Sequence, residues 1–494
     1  MKLGAAIAEI MKREGIEILC GYPVNHLIEF AANADIRPIM VRQERIGLHM
    51  ADAISRVTSG GSIGAFCMQH GPGSENAMGG VAQCYGESVP VLVLPMGYAR
   101  RLSHIDPNFN SSQAMKAFSK SSEPIILASE VCNIFRRAFT RLKNGRGGPV
   151  IVEIPADMWN EEVPEPLNYT PVLRTRYGAD PLHVKEAAAM LVAAKRPVIY
   201  AGQGVHYAKA WPQLKRLAER LAIPVTTSLG GKSSFPETHP LSLGSGGLAV
   251  PRAVPKFLAE ADVIFGVGCS FTETSFGIAM PKGKTIIHAT LDPNHLNKDV
   301  EARVGLVGDA GLILDALLEE INKTVKSDRD PGAVAAEIAA SHKEWLAKWM
   351  PKLTSNDAPL NPYRVLWDLQ KTVEVAKTLV KGSKDTLVHI MVVEGPSNRH
   401  SSTNKPIGSL TISGEQITRD LMRGSEIDLT FEISESRELT VSAFLNGTNQ
   451  EFSQVFSPKS RDVSTRMLAK EILMLEEKVQ AEIEEADEAG NRES

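Results

Sequence analysis

Three stretches of the chain place residues able to do chemistry at the ends of apolar, strand-like runs. In "IRPIMVRQERIGLHMADAISRVTSG" (36–60), Ile39, Met40 and Val41 read as a strand. Ile46, Met50, Ala53, Ile54 and Val57 then recur at the three- and four-residue steps of a helix face. Glu44 stands at the join. A carboxylate there can complement the helix dipole and cap free backbone N–H groups, or it can be a functional acid at the mouth of the strand. The second stretch is "GYP" (Gly21, Tyr22, Pro23), after "IEILC"; the third is "HGPGSEN" (His70 to Asn76), after "GSIGAFCMQ". All three follow strands, so they are candidates to meet along one edge of a sheet.

The elements that must position them follow a repeating pattern. "IEILCGYP", "IRPIMV", "GSIGAFCMQHGPG", "VPVLVLPMG" and "GPVIVEIPADM" read as buried strands alternating with helices. That alternation predicts a parallel sheet covered on both faces, with ligands bound beyond the carboxyl ends of its strands. A polar, proline-bearing linker (about 160–180) leads to a second α/β run. Its strands are "KRPVIYAGQGV", "AIPVTTSLGG", "ADVIFGVGCSF" and "KTIIHATLDPN", with a further strand and helix at "VGLVGDAGLILDALLEEI". The "GQG" and "GVG" turns do not complete G-x-G-x-x-G and read equally as tight turns or ligand contacts. After Glu374 the text changes. "TLVHIMVVEGPS", "IGSLTISGEQI", "EIDLTFEISES" and "ELTVSAFLNG" alternate apolar and polar residues and read as antiparallel strands. Leu468, Ile472, Leu475, Val479 and Ile483 mark a last amphipathic helix before an acidic tail. The fold class is therefore α/β: two doubly wound parallel-sheet domains, then an antiparallel β-sandwich fragment and a C-terminal helix.

Composition narrows the function. The 494 residues are 43% hydrophobic and 23% charged, with a net charge of −4. That balance offers no basic stripe for nucleic acid. The N-terminal amphipathic helix is interrupted by Lys12, Arg13 and Glu14 too early for a membrane span or signal peptide. Cys20, Cys67, Cys84, Cys132 and Cys269 are scattered without C-x-x-C, which reads as buried thiols of a reducing cytoplasm and not as a metal site.

These residues carry a resemblance. "GYP", the strand followed by Glu44, "HGPGSENAMGG", "YGESVPVLVLPMG", the run from "AGQGV" to "ADVIFGVG", and "NPYRVLWDL" together resemble the thiamine diphosphate-dependent enzymes, in their acetolactate synthase-like branch, over about 1–374. The resemblance implies a pyrimidine-binding domain at 1–165, a central domain at 180–325, and a linker with the start of a truncated diphosphate-binding domain at 326–374. It implies thiamine diphosphate as cofactor and a small 2-oxo acid as substrate for decarboxylation or carboligation. Glu44 becomes the acid that bonds the aminopyrimidine ring and favours the tautomer that removes the thiazolium proton, a task that calls for a buried carboxyl with a raised pKa. Gly21, Tyr22 and Pro23 would line the aminopyrimidine pocket. Gly71, Pro72, Gly73 and Asn76 would shape its wall, glycine admitting close backbone approach. His70 is either a substrate contact or a structural histidine. Many relatives read Gly-Gly after "YP"; this chain reads Val24 and Asn25, in a loop that borders the reacting carbon.

In the family a Gly-Asp-Gly motif and a later asparagine grip the diphosphate through a divalent cation. No Gly-Asp-Gly follows Glu374, and Asp309 in "VGDAG" lies too early. The chain is thus expected to carry no metal ligands of its own. Magnesium enters only if a partner chain supplies the diphosphate-binding domain. The stretch 379–460 instead resembles the β-sandwich of the DnaK-type heat-shock chaperone substrate-binding domain, and 464–494 the start of its lid. Three readings follow. The chain is an acetolactate synthase-like enzyme, incomplete and inactive or weak alone, working as a homodimer or tetramer. Alternatively it is a non-catalytic binding or regulatory fusion protein, or a chimera with a chaperone-like peptide-binding fragment. Many relatives carry FAD or another nucleotide in the central domain.

Overall fold

The computed structural model describes residues 1–247, 250–372, 379, 381–384, 387–394, 405–421, 425, 427–434 and 438–456. They fall into two units, Met1–Ala347 and a second beginning at Lys348. The expected change of character at Glu374 and the expected helix through Leu468, Ile472, Leu475, Val479 and Ile483 lie outside the described residues.

The first unit holds two parallel sheets. One comprises β1 (Ile18–Gly21), β2 (Arg37–Met40), β3 (Gly64–Met68), β4 (Val91–Gly97), β5 (Ser121–Pro124) and β6 (Val150–Pro155), in the order β2-β1-β3-β4-β6-β5. Every pairing in it is parallel. Its strands feed a core on each face. Leu92 and Leu94 of β4 pack on one side with Leu19, Cys67 and Val152. Val91 and Val93 pack on the other with Cys20, Phe66 and Ile151. This two-sided burial is why these strands read as unbroken apolar runs. The second sheet comprises β7 (Pro197–Ala201), β8 (Val225–Thr227), β9 (Ser242–Ser245), β10 (Val263–Val267), β11 (Thr285–Thr290) and β12 (Val304–Val307), in the order β12-β11-β10-β7-β8-β9.

In the second unit β13 (Leu387–Glu394) pairs antiparallel with β14 (Lys405–Ser413). β15 (Ile427–Ile433), β16 (Leu439–Leu445) and β17 (Gln450–Phe456) form an antiparallel meander. Leu410 and Ile412 of β14 share a core with Ile427, Ala443 and Leu445. The α/β class with parallel sheets followed by antiparallel strands is therefore the observed architecture.

Three expectations are corrected. β5 (Ser121–Pro124) and β9 (Ser242–Ser245) do not appear in the sequence reading. Both are short, polar edge strands, and an edge strand needs no apolar run. β2 reads as buried but is the other edge of its sheet, with Arg37 and Met40 exposed. The helix Glu44–Val57 follows its apolar periodicity only in part, with Met50 and Ile54 half-buried against the core. It buries Gly47, Leu48, Ala51, Asp52 and Ser55, while Ile46 is 49% and Val57 80% exposed. Close packing explains the choice. A Cβ on Gly64 would lie 1.9 Å from the Ala51 carbonyl oxygen, and one on Gly47 would lie 2.4 Å from the Phe66 ring. Only the small-residue face of the helix can approach β3 so closely.

The segment expected as a linker is a strap on the first domain. Trp159, Val163, Leu167 and Tyr169 are buried in that domain's core. Glu14, whose side chain is fully enclosed, pairs with the Lys143 ammonium at 2.5 Å. It also accepts from the Tyr169 hydroxyl and, at 2.9 Å, from the Val172 N–H.

Candidate active site

The strand order of the first sheet reverses between β1 and β3, so the crevice of an open α/β sheet should open beyond their carboxyl ends. The three motif stretches converge on that edge. Tyr22 N–H, just past β1, donates to the Cys67 carbonyl of β3 at 3.2 Å. Val41 N–H, just past β2, donates to the Gly21 carbonyl at 3.0 Å.

Glu44 is the first residue of its helix, and Gln43 before it makes no side-chain cap. The carboxylate is enclosed, with 4% of the residue exposed. Asn76 Nδ2 donates to Glu44 Oε2 at 3.3 Å. Gly73 faces the other oxygen: a Cβ there would lie 3.3 Å from Glu44 Oε1 and 2.7 Å from Gln69 Cγ. Glu44, Gly73 and Asn76 therefore meet directly. Pro72 opens the helix Pro72–Gly86, where its missing N–H costs nothing. Gly71 has φ +59°, and a Cβ on it would lie 2.9 Å from the Tyr98 hydroxyl. Tyr98 stands edge-on to His70, their ring centroids 4.4 Å apart. Gly21 admits the Cys67 sulfur, which would lie 2.9 Å from a Cβ. Tyr22 is half-buried and Pro23 exposed on the adjoining loop.

Two further groups support this sheet: Asn25, which the sequence placed only in the loop bordering the reacting carbon, and one that sequence reasoning missed. Asn25 is buried; its Nδ2 donates to the Met68 carbonyl at 2.8 Å and the Leu94 carbonyl at 3.2 Å, and its Oδ1 accepts from Leu27 N–H at 2.9 Å. It stitches the loop to β3 and β4, while Val24 beside it is exposed. Glu153, inside β6, is the other. A lone carboxylate in the apolar run "VIVEIP" was the available signal.

A second crevice lies at the carboxyl ends of the central sheet, whose order reverses between β7 and β10. The "GQG" and "GVG" turns meet there: Gly204 N–H donates to the Gly268 carbonyl at 2.8 Å, and a Cβ on Gly202 would lie 2.4 Å from that oxygen. They open on a cleft of about 1280 Å³ lined by Gln203, Gly230, Phe271, Asp292 and His295, with Arg146 from the first domain. Burial, aided by the Arg146 guanidinium and opposed by Asp292, pushes the His295 imidazole down to about 4. An unfolded histidine takes up its proton near pH 6.5. The unfolded chain is thus protonated first, and the associated stability is full above pH 6.5 and lost as pH falls toward 4. Melting temperature should accordingly fall less steeply between pH 7 and pH 4.5, roughly the interval between those two values, in His295→Gln than in the wild type. Equal slopes would remove His295 as a source of acid sensitivity.

Among the described residues no group of three or more His, Cys, Asp or Glu could hold a metal ion, and no helix is long and apolar enough to cross a membrane. The five cysteines are free.

Comparison with known proteins agrees with this geometry. The family described as thiamine pyrophosphate enzyme, N-terminal TPP binding domain, matches residues 1–120, and the thiamine pyrophosphate enzyme central domain matches 184–317. The probable acetolactate synthase large subunit of Methanocaldococcus jannaschii is 32% identical over 410 residues, covering 78% of this chain and 66% of that protein. The acetolactate synthase isozyme 3 large subunit of Escherichia coli is 30% identical over 381 residues, covering 72% and 64%. The glyoxylate carboligase of Escherichia coli O157:H7 is 28% identical over 389 residues, covering 75% and 64%. An X-ray structure assigned as a thiamin diphosphate-dependent enzyme from Mycobacterium smegmatis superposes with a TM-score of 0.59 at 26% identity, over 67% of this chain and 64% of that one. The chain thus spans about two thirds of the length of these relatives. It belongs to the thiamine pyrophosphate enzymes, whose N-terminal and central domains it carries.

Proposed function

We propose that the chain is an acetolactate synthase-like enzyme acting on a small 2-oxo acid, and that it contributes the pyrimidine side of a thiamine diphosphate site. The observation that carries this is the enclosed Glu44 carboxylate at the β1/β3 reversal, with Asn76 on one oxygen and the bare Gly73 beside the other. This arrangement fits an aminopyrimidine ring through the chemistry of its donor set: an enclosed carboxyl that can bond a ring nitrogen, held by Asn76, with Gly73 letting Gln69 and Glu44 Oε1 come close to its backbone. When bound, the cofactor supplies a nucleophilic carbon and an electron sink for decarboxylation. The protein's part is to hold a proton on the Glu44 carboxyl and return it, to orient that carboxyl through Asn76, and to keep water from it by burial. Gly21, Tyr22 and Pro23 would form the rim, and Gly71 and Pro72 the wall carrying His70.

The diphosphate and magnesium would be held by a partner chain. Support comes from the second unit, whose described strands from Leu387 to Phe456 are antiparallel. The helix Pro362–Thr372, which resembles the entry to a third α/β domain, leaves Tyr363, Val365 and Leu366 exposed. We read the antiparallel strands as a chaperone-like fragment that follows the enzyme domains. The outward stripe of the Glu44 helix, with Ile46 and Val57, supports a contact with a second copy of the chain. The central cleft has room for a nucleotide or a flavin. The free thiols suit a cytoplasmic setting.

Calorimetric titration of the purified chain with thiamine diphosphate, with and without magnesium, tests the division of labour. We expect no tight magnesium-dependent binding to the chain alone. Tight binding that requires magnesium would mean that this chain builds its own diphosphate grip.

A further inference from the structure

Glu153 is a carboxylate inside β6, enclosed with 4% of the residue exposed, and the reading of Glu44 leaves it without a task. Its Oε2 accepts from the Ser112 N–H at 2.6 Å. Its Oε1 fills the space over Gly97, the last residue of β4, where a Cβ would lie 2.5 Å away. Burial pushes the carboxyl up, opposed by the Ser112 N–H, then by the Ser112 hydroxyl, and last by His104, the one titratable side chain that bears on it. Ser112 is held again by Ser122, whose hydroxyl donates to its carbonyl at 2.6 Å, and by Asn110, which accepts from its hydroxyl at 3.0 Å. Ser111 next to it donates to Ser74 Oγ at 2.8 Å, and Ser74 donates to the Gln69 carbonyl at 3.1 Å.

Two routes lead from this carboxylate to the Glu44 edge. One runs through Gly97 to Tyr98, whose ring meets His70 and whose hydroxyl faces Gly71. The other runs through Ser111 to Ser74, in the first turn of the helix that carries Gly73 and Asn76. We infer that Glu153 is a positioning residue for the Glu44 site: it fixes the exit of β4 and the Ser111–Ser112 turn, and so sets where the His70–Tyr98 pair and the Gly73–Asn76 turn stand. The inference rests on the proposed function only in naming that edge as the site.

Two variants of the full chain perturb the carboxylate in different ways. Glu153→Gln keeps its shape and removes its charge. Gly97→Ala keeps its charge and pushes it aside. The readout is the imidazole resonances of His70, assigned with His70→Gln, because the adjoining Tyr98 ring shifts them. Both variants should move the His70 signals toward those of a free imidazole while leaving those of His288, in the central domain, in place. Unmoved His70 signals in both folded variants would overturn the inference. So would global unfolding of Glu153→Gln, since the carboxylate would then be a core support and not a local one. A His70 shift with no thiamine diphosphate binding under any condition, a partner domain included, would keep this inference and sink the proposed function alone.

Discussion

Glu44→Gln should lower 2-oxo acid turnover by about 10²- to 10⁴-fold, the usual weight of a positioned proton-transfer group, once a partner supplies the diphosphate-binding domain. The amide matches the carboxyl in shape, and its oxygen can still accept from Asn76 Nδ2, now 3.3 Å from Oε2. It cannot give up and regain a proton. Stability should therefore change by no more than about 1 kcal/mol, the typical scale for a substitution that opens no cavity. The assay mixes the purified chain with the diphosphate-binding domain of an acetolactate synthase, thiamine diphosphate, magnesium and pyruvate. The chain without that domain is the blank. Turnover retained within a few-fold by Glu44→Gln would return Glu44 to the plain role of completing the first turn of its helix. Loss of stability without loss of turnover per folded molecule would say the same.

The largest expected effect on stability lies at Glu14. Its side chain is fully enclosed and the Lys143 side chain is only 18% exposed. Glu14→Ala leaves the ammonium with only the Val172 carbonyl, at 3.2 Å, and strands the Tyr169 hydroxyl and the Val172 N–H. Breaking a buried pair from one side costs about 3–5 kcal/mol, because a charge is left buried without its partner. The loss should appear in the unfolding of the first domain, followed by urea with the Trp159 signal as probe. Lys143→Met should cost less, since Glu14 would keep its bonds from Tyr169 and Val172. Replacing both by apolar residues should recover part of the loss. A Glu14→Ala chain within about 1 kcal/mol of wild type would show that water reaches the pair and that the strap is held by its apolar residues alone.

The central strands β1, β3, β4, β6, β7, β10 and β11 were legible because burial on both faces demands apolar residues at every position. β5 and β9 were not, because a strand paired on one side can draw its stability from the backbone of its neighbour and need leave no apolar trace, although β2 and β12, at the opposite edges, keep one. The Glu44 helix was read with Ile46 and Val57 inward for a related reason. Periodicity counts hydrophobic area, whereas contact with β3 at Gly64 and Phe66 is decided by bulk, and Gly47, Ala51 and Ser55 fit where Ile46 and Val57 do not. At the proposed site, the placing of Glu44 and the glycine loop at one sheet edge was legible from their position after strands. Asn25 showed only as a departure in the loop after "YP" and Glu153 only as a lone carboxylate in "VIVEIP"; their bonds did not show, because the partners are backbone groups distant in sequence: Leu94 for Asn25, and Ser112 for Glu153. Such pairings leave no pattern in a single chain.

The outward stripe on the Glu44 helix has a consequence for how the protein responds to dilution. Ile46 and Val57 sit on the same short rod as the acid, so whatever covers them also sets how dry the mouth above Glu44 becomes. Covering is an association step and obeys mass action. If Glu44 holds the cofactor as proposed, the affinity there becomes a property of the population and not of the single molecule. On the proposed reading, halving the protein concentration near the dissociation constant of that association would loosen the ligand as a substitution in its pocket would.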